Sequence, residues 1–104
     1  MKEIITVIAE IKAKPGREED VKKALLALIG PTREEEGCID YDLHESLEQP
    51  GQFLFYENWI NDAALNAHLE TAHLKELRAK SEALLAAPVK ITRWRRLSNR
   101  KTAS

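Results

Sequence analysis

The chain has 104 residues, 43% hydrophobic and 32% charged, with four Gly and four Pro, a composition of one globular domain rather than a disordered chain. Its net charge of −1 conceals an asymmetry: residues 93–104 hold five cations and no acid, so taking them away leaves −6 for residues 1–92. No apolar run approaches the roughly 20 residues of a membrane helix, and the single cysteine, Cys38, excludes an internal disulfide and a multi-cysteine zinc site.

The N-terminus enters a strand-like pattern directly rather than a signal peptide, so the expected location is cytoplasmic, with no membrane partner. "IITVIAEIK" (4–12) is β-branched and short, and reads as the first strand. "AKPGREED" supplies a turn and then acids suited to the positive end of a helix dipole. Val21, Ala24, Leu25, Leu28 and Ile29 make one apolar stripe. Pro31 predicts a kink or fresh start near Gly30, with helix to about Glu36 and a stop at Gly37.

"CIDYDLHES" alternates Ile39, Tyr41 and Leu43 against Asp40, Asp42 and His44, the mark of an edge strand with one apolar face. Cys38 reads as a packing thiol. After the turn "LEQPG", the strand "QFLFYENWI" carries large residues on both faces and belongs in the middle of a sheet. Asn61 or Asp62 can cap the next helix, in which Leu65 and Leu69 face inward. Past a break near Thr71, Leu74, Leu77, Leu84 and Leu85 continue the stripe toward Pro88. "VKITRWRRL" is the last strand. Arg93, Arg95, Arg96, Arg100 and Lys101 follow without any nucleic-acid motif, and an acidic body repels phosphate. No nucleic-acid partner is expected, and residues 98–104 read as a solvated basic tail on a single domain, residues 1–97.

The order β-α-β-β-α-β predicts an α+β fold, the split βαβ plan of ferredoxin-like proteins, with an antiparallel four-stranded sheet. Right-handed crossovers put strands 1 and 3 in the centre and both helical segments on one side. The opposite face then exposes large side chains that this chain has no third layer to cover. A second copy, sheet against sheet, would bury them, so a homodimer is expected.

"KPGREEDVKKALLALIGPTREEEGCIDYDLHES", "FYENW" and "ALNAHLETAHL" resemble the antibiotic biosynthesis monooxygenase family, especially its bacterial quinol-monooxygenase-like branch, over about residues 4–96. Gly37-Cys38, Tyr41, Glu57-x-Trp59 and Ala67-His68 carry the likeness. The resemblance implies a dimeric α/β barrel and oxygenation of quinol-like or phenolic aromatics with molecular oxygen and no flavin, haem or metal. Haem-degrading relatives carry Asn, Trp and a ligating His where this chain has Ala9, His68 and Arg78, so haem degradation is not expected.

Oxygenation without a cofactor needs a base, an apolar pocket and exclusion of water. Phe53, Phe55, Glu57 and Trp59 share one face of their strand by its two-residue repeat. If that face looks away from the helices, it forms the wall of a cavity enclosed by the dimer and carries a carboxylate into it. Burial raises the pKa of such a carboxylate unless a cation or His answers it, and the group then suits proton transfer or the orienting of a base. The candidate catalytic residues are His68 or His44 as proton acceptor and Glu57 as orienter. Phe53, Phe55, Tyr56, Trp59 and Tyr41 are candidate substrate contacts. Hairpin register leaves open whether Tyr41 or His44 shares a face with Glu57. Glu57 could equally pair with an Arg across the dimer interface, and His68 could be a structural His bonded to backbone or to Glu57. His73 is expected to be exposed. His68 and His73 stand five apart, not the four that stack ligands on a helix, and no nearby acid completes a metal set. Two other functions fit the same residues: a non-catalytic dimer binding a small metabolite or serving in stress protection, and isomerisation of a small carbonyl compound.

Overall fold

A computed structural model describes residues 3–99 of the chain. The β-branched N-terminal run forms β1 (Ile5–Lys12). Helix α1 (Glu18–Leu26) follows with Glu18, Glu19 and Asp20 in its first turn, where negative charge offsets the helix dipole. The chain restarts as α2 (Ile29–Arg33), earlier than the break expected at Gly30, and this helix stops three residues short of Glu36. Gly37 takes a φ of 90°, a left-handed conformation that favours glycine, and the chain turns into β2 (Cys38–Glu45).

A hairpin leads to β3 (Gln52–Trp59), then α3 (Asp62–Leu69), α4 (Ala72–Leu84) and β4 (Lys90–Trp94). Asn61 caps α3, its Oδ1 accepting from the Ala64 amide at 2.8 Å. The break expected near Thr71 is a cap: Thr71 Oγ1 accepts from the Leu74 amide at 3.4 Å and donates to the His68 carbonyl at 2.8 Å. The sheet order is β2-β3-β1-β4 with every neighbouring pair antiparallel, the ferredoxin-like α+β topology with strands 1 and 3 central.

Register decides the faces. Val7 lies opposite Glu57, Ala9 opposite Phe55 and Ile11 opposite Phe53, while on the other side of β3 Tyr41 pairs with Glu57 and Leu43 with Phe55. This face packs against the helices through Val21, Leu25, Leu28, Leu65 and Leu84, all buried. The face bearing Glu57 therefore looks toward the helices, so the condition for a cavity wall facing away from them is not met. The physical reason lies on the reverse face, where Thr6 Oγ1 donates to Asn58 Oδ1 at 2.5 Å and Asn58 Nδ2 donates to Asp40 Oδ2 at 2.9 Å. Helices laid over that face would take the carboxylates of Glu10, Asp40 and Asp42 out of water, against the single buried carboxylate, that of Glu57, on the face they cover.

Ile39 departs from the strand alternation. The register shifts between Cys38 and Asp40, leaving Ile39 as an extra residue 40% exposed, and Cys38 faces the core in its place. Burial pushes the Cys38 thiol up to about 11, which makes it a packing group rather than a nucleophile. On the reverse face Ile8, Leu54 and Tyr56 are half-buried and Trp94 is 58% exposed. The basic end is partly engaged: Arg93 pairs with Asp62 at 3.2 Å, Arg95 with Glu3, and Arg96 donates to the Tyr56 hydroxyl at 3.4 Å. Arg100 and Lys101, with the rest of the expected tail beyond residue 99, lie outside the described residues.

Candidate active site

A cavity of about 280 Å³ lies between the sheet and the helices of a single subunit. Val7, Ala9, Ile11, Tyr41, Phe55 and Glu57 form its floor. The roof comes from Leu65 and His68 of α3 and from Leu74, Leu77, Arg78 and Ser81 of α4, with Pro88, Val89 and Ile91 closing one side. The hollow expected between two subunits is thus enclosed by one, because α3 and α4 bridge over the face that carries the carboxylate.

Glu57 is 4% exposed, and Trp59 Nε1 donates to its Oε1 at 2.9 Å. Burial raises its pKa to about 7, against the opposing effect of the Trp59 hydrogen bond. Near neutral pH this carboxyl therefore exists in both forms and can give or take a proton. Tyr41, its cross-strand partner, stacks on Phe55 at 4.4 Å between ring centroids with 22° between planes. Burial, with the Glu57 charge beside it, holds the Tyr41 phenol protonated far above its ordinary value.

His68 lies in the last turn of α3, 2% exposed, its ring 4.5 Å from that of Trp59 and 5.5 Å from that of Tyr41. Its Nδ1 lies 2.8 Å from Glu35 Oε2. Burial lowers the His68 pKa, although the Glu35 carboxylate works against that. A neutral ring donating Nδ1–H to Glu35 keeps Nε2 as an acceptor, the arrangement of an oriented general base. His73 Nε2 reaches the same Glu35 oxygen at 2.7 Å. Two imidazoles thus converge on one carboxylate oxygen, and Glu35, His68 and His73 offer three donor atoms within 4.8 Å of one another.

The structure brings His68, Glu57, Tyr41 and Phe55 together around the cavity. Trp59 stands beside it as the hydrogen-bond partner of Glu57. Phe53 points the same way but is buried one strand repeat further along, in core outside the cavity wall. His44 and Tyr56 do not join the site. His44 pairs with Leu54 and Tyr56 with Asp42 across the hairpin, which puts both on the reverse face, and His44 is exposed. Glu57 is held by Trp59 within its own strand, and His68 is bonded to Glu35 rather than to Glu57 or a backbone group.

Three neighbours of the site escaped the sequence reading. Glu35 sits in the turn after α2, 33 residues from His68, with nothing local to mark it. His73 is only 22% exposed, because the Thr71 cap ends one helix and begins another, and ring nitrogens five positions apart meet across the break. Arg78, which the family resemblance marks only as the haem-ligand position, lines the cavity.

Residues 4–80 match the family model of antibiotic biosynthesis monooxygenase. The chain is 40% identical over 87 residues to "Uncharacterized protein sll1783" of Synechocystis sp., covering 84% of this chain and 59% of that longer protein. It is 37% identical to "Putative monooxygenase YcnE" of Bacillus subtilis, covering 86% of this chain and 95% of the other. To "Probable quinol monooxygenase YgiN" of Escherichia coli (strain K12) it is 38% identical, covering 78% and 85%. The crystal structure of PA3566 from Pseudomonas aeruginosa superposes with a TM-score of 0.89 at 41% identity, covering 94% of this chain and 98% of that one. These matches support a monooxygenase-like function, and by sequence and fold alike the chain belongs to the antibiotic biosynthesis monooxygenase family.

Proposed function

We propose that this protein is a cofactor-independent monooxygenase acting on small quinol-like or phenolic aromatics, and that it works as a homodimer. The observation that carries this reading is the meeting of Glu57 and His68 in one small, otherwise mostly apolar cavity. The relative named a quinol monooxygenase supports the substrate class.

A flat one- or two-ring substrate suits the volume and the Tyr41–Phe55 stack. His68 Nε2 accepts the phenolic proton, and Glu35 steadies the imidazolium that forms. The resulting anion passes one electron to O2, and recombination of the radical pair makes the ring C–O bond. The peroxide O–O bond then breaks, and the ring hydrogen leaves as a proton that restores the protonated form of Glu57. The outer oxygen departs as water, taking protons from His68 and from the protonated form of Glu57. The balance is quinol plus O2 to hydroxylated quinone plus water. The apolar walls keep bulk water from the reactive anion.

The half-buried apolar residues of the reverse face, Ile8 and Leu54, with the exposed Trp94 at its margin, support pairing of two sheets. In this reading the dimer completes the fold while each subunit carries its own reaction chamber.

Aerobic turnover of menadiol-like quinols by wild type and His68→Ala tests the function. Loss of about 10²–10⁴-fold in kcat is expected. Equal rates would remove His68 from the mechanism, and wild-type rates no faster than spontaneous oxidation would remove the activity. The Glu57–His68 pair also suits isomerisation of a small carbonyl compound by proton transfer, which would proceed at full rate without oxygen.

A further inference from the structure

We propose that Glu35, His68 and His73 form a binding site for a divalent transition-metal ion of the zinc type, filled from the outer surface of the helical layer. Glu35 Oε2, His68 Nδ1 and His73 Nε2 lie within 4.8 Å of one another, and two nitrogens with one carboxylate oxygen form a set that prefers zinc, cobalt or nickel to magnesium or calcium.

The two imidazoles now share a single oxygen, at 2.8 Å from His68 and 2.7 Å from His73. Ligands about 2.0–2.2 Å from a tetrahedral ion stand about 3.3 Å apart. An ion replacing the shared protons therefore asks each imidazole nitrogen to stand about half an ångström further from Glu35 Oε2. His73 can supply that movement: it sits in the first turn of α4 with 22% of its side chain exposed. It also lines a surface groove with Ala24, Glu76 and Lys80, the side from which an ion would enter.

The consequence for chemistry is competition. Coordination through Nδ1 leaves the His68 proton on Nε2, the nitrogen the proposed reaction needs free. The metal is then an inhibitor of turnover rather than a reactant, and its binding is measurable without any substrate.

Titration of Co2+ into the chelator-treated full chain, followed by calorimetry and visible ligand-field absorption, tests the site. One Co2+ should bind per chain and be displaced by one equivalent of Zn2+. His73→Ala and Glu35→Gln should each weaken binding by about 100-fold or more. His44→Ala, which alters the exposed histidine of the reverse face, should bind as wild type does. His73→Gln repeats the test if the alanine variant does not fold by circular dichroism. The proposal is overturned by the absence of saturable Co2+ binding to wild type, or by an affinity unchanged in the His73 and Glu35 variants. Turnover without metal binding sinks only this site, and metal binding without turnover sinks only the proposed reaction.

Discussion

Trp59 Nε1 donates a hydrogen bond of 2.9 Å to Oε1 of Glu57, two residues earlier on the same strand face. The indole steadies a carboxyl that burial would otherwise make still harder to ionise, and the outcome is a pKa of about 7.

That value carries a stability cost with a defined sign. The folded pKa, about 7, lies above the ordinary 4.5, so the native state binds this proton more tightly than the unfolded chain does. The group's contribution is fully present below about pH 4.5 and is lost as pH rises to about 7. Glu57→Gln keeps the acceptor for Trp59 and removes the charge. Urea melts should show the variant gaining on the order of 3 kcal/mol over wild type between pH 4.5 and pH 8. A difference independent of pH would mean that Glu57 is not a strained carboxyl.

In the proposed reaction Glu35 acts only through His68. With Glu35→Gln the acceptor at Nδ1 becomes an amide, which no longer fixes the tautomer or balances the imidazolium. Steady-state kinetics should show kcat falling on the order of 10²-fold with KM little changed. Unchanged kcat would leave Glu35 a structural group.

Gly37 lies in the turn that leads from Glu35 into β2, and its carbonyl accepts from the Ile60 amide at 2.9 Å. A Cβ there would stand 2.6 Å from that of Ala64 and 3.0 Å from Ile60 Cγ1, on backbone with a φ of 90°. Gly37→Ala combines overlap with left-handed strain, and chemical denaturation should show a loss of about 3 kcal/mol. A loss below about 1 kcal/mol would mean that α3 yields at this contact.

Leu54 lies on the reverse face of the sheet, paired with His44 and Glu10 and away from the cavity. If two sheets pair there, Leu54→Lys places a charge in the contact, and sedimentation should find wild type dimeric and the variant monomeric at micromolar concentration. A monomeric wild type would contradict the dimer.

Much of the fold was legible because β-branched runs, caps and turn residues all pointed one way, and crossover handedness then fixed the strand order. The facing of the sheet was not, since Phe53, Phe55 and Trp59 on one side and Leu54, Tyr56 and Ile60 on the other look alike as hydrophobic patterns. The polar residues of the reverse face, Thr6, Glu10, Asp40, Asp42 and Asn58, break that tie, and they are assembled from three strands. The inversion moved the expected hollow from between subunits to within one and left His44 and Tyr56 outside it. His68 and Glu57 could be named from strand parity and the helical stripe. Glu35 and the nearness of His73 could not, since both depend on turns whose angles no periodicity encodes.

In the proposed reaction one oxygen atom of O2 enters a phenolic substrate by the action of His68 and Glu57 alone. Turnover of a menadiol-like quinol under 18O-labelled dioxygen, with chelator present, measures it directly by mass spectrometry of the product. One labelled oxygen per hydroxylated quinone, formed faster than in buffer and lost in His68→Ala, is the predicted result. Product without label, or label gained equally without protein, would rule this chemistry out.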